Sequence, residues 1–145
     1  MTAHDTGETD TQLLARAVGD LARRTRFPVA FGGLHVDGAV RISTVVGNRT
    51  PSLEGLTVRP HRGLGGKAMT ELRPRMTVDY RSSRTITHDY DAHVLGEGIS
   101  TLLAVPVIVD GAPRGVLYGG TWHSSTIGDS VAAPAFQVAD ALAAE

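Results

Sequence analysis

Residues 97–120 read EGISTLLAVPVIVDGAPRGVLYGG. Two apolar runs, 100–109 and 114–122, flank Asp110-Gly111. Both central residues of a tight type I′ turn need positive φ, so Asp-Gly between β-rich runs signals a hairpin. Leu102-Leu103-Ala104-Val105 is continuously apolar, as in a central strand buried on both faces. Pro106 has no amide hydrogen to give a ladder, so it predicts a bulge or a locally unpaired position. The same grammar occurs earlier. Residues 29–36 and 39–46 flank Asp37-Gly38, and the second run alternates. Val40, Ile42, Thr44 and Val46 fall on one face, with Arg41, Ser43 and Val45 on the other. Each pair of runs is expected to form a two-residue hairpin in one antiparallel sheet.

Helical signals surround the hairpins. Thr9 and Gln12 have the spacing of a capping box. Leu14, Ala17, Val18 and Leu21 follow at helical spacing, Arg23, Arg24 and Arg26 suit a helix C-terminus, and Pro28 stops continuation. A helix is predicted over 10–25. Residues 47–60 are rich in turn formers and read as a connection. A short helix is predicted over 66–72, a strand over 76–80, and a helix over 88–95 with Thr87 as N-cap. Val131, Ala135, Val138 and Leu142 mark one stripe of a last helix starting between Gly128 and Pro134, capped by Asp129 or Ser130. Helical character persists to Glu145, so that helix is expected to continue past it. Helices separated by paired strands argue an α+β fold, with a central, mainly antiparallel sheet of five to six strands and the first and last helices on one face. Residues 1–9 read as a disordered tail and 10–145 as one domain.

Composition excludes several functions. The chain has 145 residues, 41% of them hydrophobic, enough for one self-sufficient core. It has no cysteine, hence no disulfide framework, thiolate zinc site, cysteine nucleophile or thioether anchor for a chromophore. Cysteine absence and the lack of a secretion signal fit a cytoplasmic protein, and Asn48-Arg49-Thr50 is read as a chance sequon. No apolar run approaches the ~20 residues of a membrane span. Net charge is -1, but residues 1–75 carry a basic surplus that concentrates between Arg49 and Arg84. That surplus is either a solvated loop region or a rim that attracts an anionic ligand. Nucleic-acid binding is not expected, since Tyr80 is almost the only aromatic platform there. Thirteen arginines against one lysine, Lys67, suggest a GC-rich bacterial genome.

The leading helix, the Asp-Gly hairpins, the block GLGGKAMTELRPRMTVDY at 63–80 and above all the block at 97–120 resemble a GAF domain, a small-molecule sensing module related to PAS. The resemblance covers about residues 10–145. The Arg-Pro and Asp-Tyr of the middle block, together with ITHDYD at 86–91, further resemble GAF domains at the N-terminus of actinobacterial transcription regulators. Within the family, bilin attachment and free methionine sulfoxide reduction both imply cysteines, which this chain lacks. The Asn-Lys…Phe…Asp-Glu pattern of the cyclic-nucleotide branch is absent as well. The resemblance therefore implies a signalling sensor without catalysis, binding an unidentified small molecule between the sheet and residues 61–99. Its cofactor is unknown. Ligand contacts are expected among Tyr80, His88, Tyr90, His93 and Ile99, from the segment that covers one sheet face in the family's fold.

Other constellations compete with that reading. Gly63-Leu64-Gly65-Gly66-Lys67 fails as a phosphate loop, which needs glycine at His61 and Ser or Thr at Ala68. It reads as a flexible start to a helix. His88, Asp89, Asp91 and His93 form the densest group of ligand-type side chains. On a helix, Asp89 and His93 would share one face and His88 and Asp91 another, so a metal site would have to gather two diverging pairs. Some GAF sensors carry haem, for which His88, His93 and His123 would be candidates, though no specific haem signal is present. No Gly-x-Ser-x-Gly elbow exists. Tyr80, Tyr90, Tyr118 and Trp122 line a pocket or fill the core. A ligand-free dimerisation module is the alternative to a sensor. In either case the terminal helices, presenting Leu14, Val18 and Leu21 and Val131, Ala135, Val138 and Leu142, are expected to pair two chains as a homodimer.

Overall fold

The computed structural model describes residues 9–124 and 129–145. The chain runs α1 (Asp10–Arg24), β1 (Val29–Val36), β2 (Ala39–Val46), β3 (Thr57–Val58), α2 (Gly63–Glu71), β4 (Arg75–Thr77), α3 (Asp91–Val94), β5 (Thr101–Val109), β6 (Ala112–Thr121) and α4 (Asp129–Ala143). The six strands form one antiparallel sheet in the order β3-β2-β1-β6-β5-β4. The α+β expectation holds. Both Asp-Gly pairs make the turns that their conformational freedom allows: Asp37 and Gly38 have φ of 51° and 84°, Asp110 and Gly111 of 51° and 77°. β1 pairs with β2 and β5 with β6, as each hairpin requires.

The sheet separates two cores. On one face, Leu14, Ala17, Val18 and Leu21 of α1 and Ala132, Ala135, Val138 and Ala139 of α4 pack on Ala30, Leu103, Val105, Val107 and Leu117. The first and last helices thus share a face. On the other face, α2, α3 and the connecting loops cover Val29, Phe31, Val40, Ile42, Leu102, Ala104, Val116 and Tyr118. Leu102 to Val105 is buried towards both sides, as its apolar run predicts. Thr9 caps α1 through the full capping box, its Oγ1 accepting from the Gln12 amide at 3.2 Å while Gln12 Oε1 accepts from the Thr9 amide at 2.8 Å. Residues 1–8, most of the expected tail, lie outside the described residues, as do the side chains of the cap candidates Asp129 and Ser130 and of Val131.

Several expectations need correction. The alternation of β2 does not run through. Gly32 pairs with Thr44 and Gly33 with Ile42, so Ser43 is an extra residue opposite the pair. A bulge inverts the facing of the residues beyond it: Val40 and Ile42 join the α2 face, Val45 packs there too, and Val46 turns to the helix face. The bulge expected at Pro106 lies beside it. Pro106 pairs with Val116, and the slip falls between Val107 and Ile108, where Arg114 is the extra residue. Proline is tolerated because β4 pairs only with Leu102, Leu103 and Ala104, leaving β5 an edge strand at 106. The connection at 47–60 hides β3, whose two residues are too few for a periodic signal. α2 begins three residues earlier than predicted, and the strand predicted over 76–80 is β4 at 75–77. α3 is only four residues long and starts after Tyr90, so Thr87 caps nothing there. Its Oγ1 accepts from the Gly63 amide at 2.9 Å instead.

Most of the stripe expected to pair two chains packs within one, with Leu142 only partly buried. Leu14, Val18, Leu21, Ala135 and Val138 are all buried against the sheet, because an antiparallel sheet with one bare apolar face must be covered by its own helices. Small residues Ala135 and Ala139 bring α4 close to that sheet. The exposed side of α4 carries Phe136 and Gln137, the latter accepting from Arg24 Nη2 at 2.5 Å across the two helices.

Candidate functional site

The face opposite the terminal helices is built on an aromatic layer. Tyr118 projects from β6 and stacks on Phe31 of β1, ring centroids 4.4 Å apart and planes 6° from parallel. α2 lies directly above, and its glycines are what let it. A β-carbon at Gly65 would overlap the Tyr118 hydroxyl and stand 2.6 Å from Cζ; one at Gly63 would stand 2.7 Å from the Tyr90 ring. The Gly-Leu-Gly-Gly stretch is therefore a close-approach surface for tyrosines, with Gly63 at φ 62°, and not a phosphate loop. Tyr80 is fully buried in the same core, and Tyr90 packs on its edge. The Tyr90 hydroxyl accepts from the Arg59 amide at 2.8 Å. Burial is the main reason that the Tyr80 and Tyr118 hydroxyls titrate far above the ordinary phenol range; Asp91 and Tyr90 add to it at Tyr80, and Tyr80 and Tyr90 add at Tyr118. Both of these phenols stay protonated and able to donate.

A strap at 81–90 closes the edge of this layer. His88 holds it through both ring nitrogens: Nε2 lies 2.7 Å from the Ser83 carbonyl and Nδ1 2.7 Å from Asp91 Oδ1. A ring facing a carbonyl and a carboxylate is best satisfied with both nitrogens protonated. Its pKa is raised accordingly, first by the Ser83 carbonyl and then by Asp91. The ring meets Tyr80 edge-on at 5.7 Å. Asp89 lies on the other side of the strap, 3.9 Å from Arg62, its carboxyl held below the usual range first by the Thr87 hydroxyl. His93 turns the opposite way, Nδ1 donating to the Ser52 carbonyl at 2.9 Å.

A buried carboxylate ties the far end together. Glu97, 3% exposed, follows α3. It accepts from the amides of Arg49 (2.7 Å) and Thr50 (3.0 Å), from the Thr50 hydroxyl (2.7 Å) and from Trp122 Nε1 (3.2 Å). Burial alone would raise its pKa, but these four donors outweigh that and hold it below the usual glutamate range. The Arg49 guanidinium lies 3.4 Å over the Trp122 ring, a cation–π contact. Glu97 thus joins the β2–β3 loop, the end of α3 and the residue that follows β6.

Of the five residues expected at the ligand, Tyr80, His88 and Tyr90 come together around the strap. His93 is directed to Ser52, and Ile99 is buried beneath Gly120 at the other end of the core. None of the five lines the cleft of about 740 Å³ beside β2 and the β2–β3 loop, which Ile42 and Val45 help to line, or the smaller cleft beside α2. The smaller cleft, of about 310 Å³, lies between α2 and residues 84–87 and is lined by His61, Lys67, Thr70, Glu71, Arg84 and Thr87, with Thr85 and Ile86 completing it. It falls within the expected span 61–99. Its polar residues carry no spacing pattern that would single them out in sequence, since helix and strap supply them separately. The His88, Asp89, Asp91, His93 group diverges, and among the described residues no three His, Cys, Asp or Glu side chains are placed to hold a metal ion. No helix among the described residues is long and apolar enough to cross a membrane.

No protein-family model matches the chain. The chain is 36% identical over 123 residues to the HTH-type transcriptional activator RamA of Corynebacterium glutamicum, a match covering 84% of this chain and 44% of that protein. It thus spans less than half the length of that curated relative. Among solved structures it is similar to the GAF domain of a phosphoenolpyruvate-protein phosphotransferase from Coxiella burnetii (TM-score 0.79, 21% identity, 97% of this chain and 84% of that one). The GAF domain of a two-component sensor histidine kinase from Bacillus halodurans is similar too (TM-score 0.76, 16% identity, 99% and 92%). So is the type II free methionine-R-sulfoxide reductase of Thermoplasma acidophilum (TM-score 0.74, 15% identity, 93% and 90%).

Proposed function

Because this chain is a GAF domain in fold, we propose that it is the sensory part of a bacterial transcriptional activator, binding a small molecule on the face that carries α2, α3 and the strap. The observation that carries this reading is the division of labour across the sheet. One face holds α2, α3, connecting loops and the cleft beside the strap; the other holds the two terminal helices, with a cleft of about 540 Å³ where their ends meet β1, β2 and β5. β6 serves both, with Tyr118 in the aromatic layer and Leu117 under the terminal helices. Its end is tied through Trp122 to Glu97, so a change on the ligand face that shifts β6 is felt at the start of the connection to α4. The likeness to RamA supports the regulatory setting, in which a DNA-binding part would lie outside the matched region. Without cysteine, thiol redox chemistry of any kind is closed to the chain.

Native mass spectrometry of the undenatured protein, followed by thermal melting with the molecules it releases, tests the proposal. A copurified small molecule that raises the melting temperature supports a sensor. A bare mass and no stabilising metabolite from a cell extract would reject it. One observation favours the second reading, a ligand-free pairing module. The interior between α2 and the sheet, the expected place of the ligand, is filled by Tyr80 and Tyr118. In that reading two chains pair through the outer side of α4, around Phe136.

A further inference from the structure

The cleft between α2 and the strap has a one-sided charge. Lys67, Arg84 and His61 line it. Its one carboxylate, Glu71, is ion-paired with Arg75 of β4 and cannot neutralise them. Arg84 has no ion-pair partner among the described residues. Lys67 Nζ spends one hydrogen on the Thr85 carbonyl at 2.9 Å, leaving two free. That bond also pins the strap to the helix, so Lys67 and Arg84 are presented from opposite banks of one opening. Like charges held across a small volume repel, and an anion between them relieves the repulsion. Two hydroxyls of the cleft are already committed: Thr70 Oγ1 donates to the Gly66 carbonyl and accepts from the His61 amide, and Thr87 Oγ1 accepts from the Gly63 amide. The unspent charged donors of the cleft are those of Lys67 and Arg84. We infer that this cleft binds a small anion, the phosphate or carboxylate group of a metabolite, with Lys67 and Arg84 as its direct contacts. The inference rests on the reading of the chain as a small-molecule sensor and supplies the class of molecule sensed. It also gives the signal a way inward. Ile86 lines the cleft and packs against the core that holds Tyr80 and Tyr118.

The test is an amide NMR titration of the chain with inorganic pyrophosphate and, separately, with citrate, sodium chloride holding ionic strength constant. Saturable shifts confined to residues 61–71 and 84–87 are expected with at least one probe. Saturation by pyrophosphate alone assigns a phosphate group, and by citrate alone a carboxylate. Lys67→Gln with Arg84→Gln should weaken that binding by about tenfold or more, since charge-assisted contacts are lost. Arg84→Gln alone, at an exposed position, should weaken it severalfold with an unchanged melting temperature. Absence of saturation by either probe, or shifts that survive the double substitution, would overturn the inference. A neutral copurified molecule found by native mass spectrometry beside unresponsive cleft amides would leave the sensor standing and remove the anion site.

Discussion

The β-carbon that alanine would add at Gly65 falls on the hydroxyl of Tyr118. Neither partner can move away. Tyr118 is held flat against Phe31, and Gly65 sits inside α2, closed down on the sheet. A residue without a side chain and a large buried phenol are thus two halves of one packing decision, separated by 53 positions of sequence.

Gly65→Ala should destabilise the fold by about 1–3 kcal/mol, the usual cost of overpacking, despite alanine's better helix propensity. Urea denaturation measures it. Tyr118→Phe in the same chain removes the overlapping oxygen but leaves Cζ close, so it should recover part of the loss. Additive losses in the double variant would show that the two residues are not coupled.

Glu97→Ala should cost about 2–3 kcal/mol, because it strands the donors on Arg49, Thr50 and Trp122. Glu97→Gln can still accept and should cost less. The carboxyl pKa is lower in the folded chain than in the unfolded one. Its contribution is therefore complete above the ordinary glutamate value of about 4.3 and disappears as pH falls through the folded value. The stability of Glu97→Gln should accordingly fall less steeply in acid than that of the parent, and Trp122 fluorescence during acid titration reports the same release.

The sign is opposite at His88. Its folded pKa is raised, so its contribution is complete below the unfolded value of about 6.5 and fades as pH rises through the folded one. Imidazole carbon-bound proton shifts should titrate above the ordinary histidine value of about 6.5, and the protection of amides in residues 81–90, relative to their intrinsic exchange rates, should fall over the same pH range. A titration at or below that value would mean that Ser83 and Asp91 do not hold the charged ring. Asp91→Asn should move the value downwards.

The hairpins and the division of helices are legible because they rest on local chemistry: Asp-Gly turns, a capping box, continuous apolar runs. Legibility fails where a long-range fact intervenes. Ser43 looks like an ordinary outward residue of β2, and only its pairing with β1 shows that it is the bulge that turns Val45 and Val46 over. Thr87 has the chemistry of an N-cap, yet Gly63 claims its hydroxyl. Gly63 and Gly65 announce close approach without saying to what; the partners are Tyr90 and Tyr118. Tyr80, His88 and Tyr90 do lie near one another, as their grouping on one segment suggests. Lys67 and Arg84 are visible only as part of a basic surplus, because the Lys67–Thr85 bond that brings helix and strap together has no sequence signature.

Pairing of chains gives the last prediction, and the burial of α4 decides how it must be tested. Val138 is 3% exposed and packs among Leu14, Leu21, Leu103 and Val105 in the helix-side core. A carboxylate there would be desolvated without a partner, so Val138→Asp should cost on the order of 4 kcal/mol and unfold much of the protein. Loss of a dimer in that variant would say nothing about the interface. Phe136, 38% exposed on the outer side of the same helix, separates the two effects. Phe136→Asp should cost about 1–2 kcal/mol, since part of the ring is covered, and so leave the protein folded where Val138→Asp does not. If the outer side of α4 joins two chains, light scattering across micromolar concentrations should show a dimer mass for the parent and a monomer mass for folded Phe136→Asp. A monomer mass for the parent throughout would reject pairing for this chain; a dimer that survives Phe136→Asp would place the interface elsewhere than around Phe136.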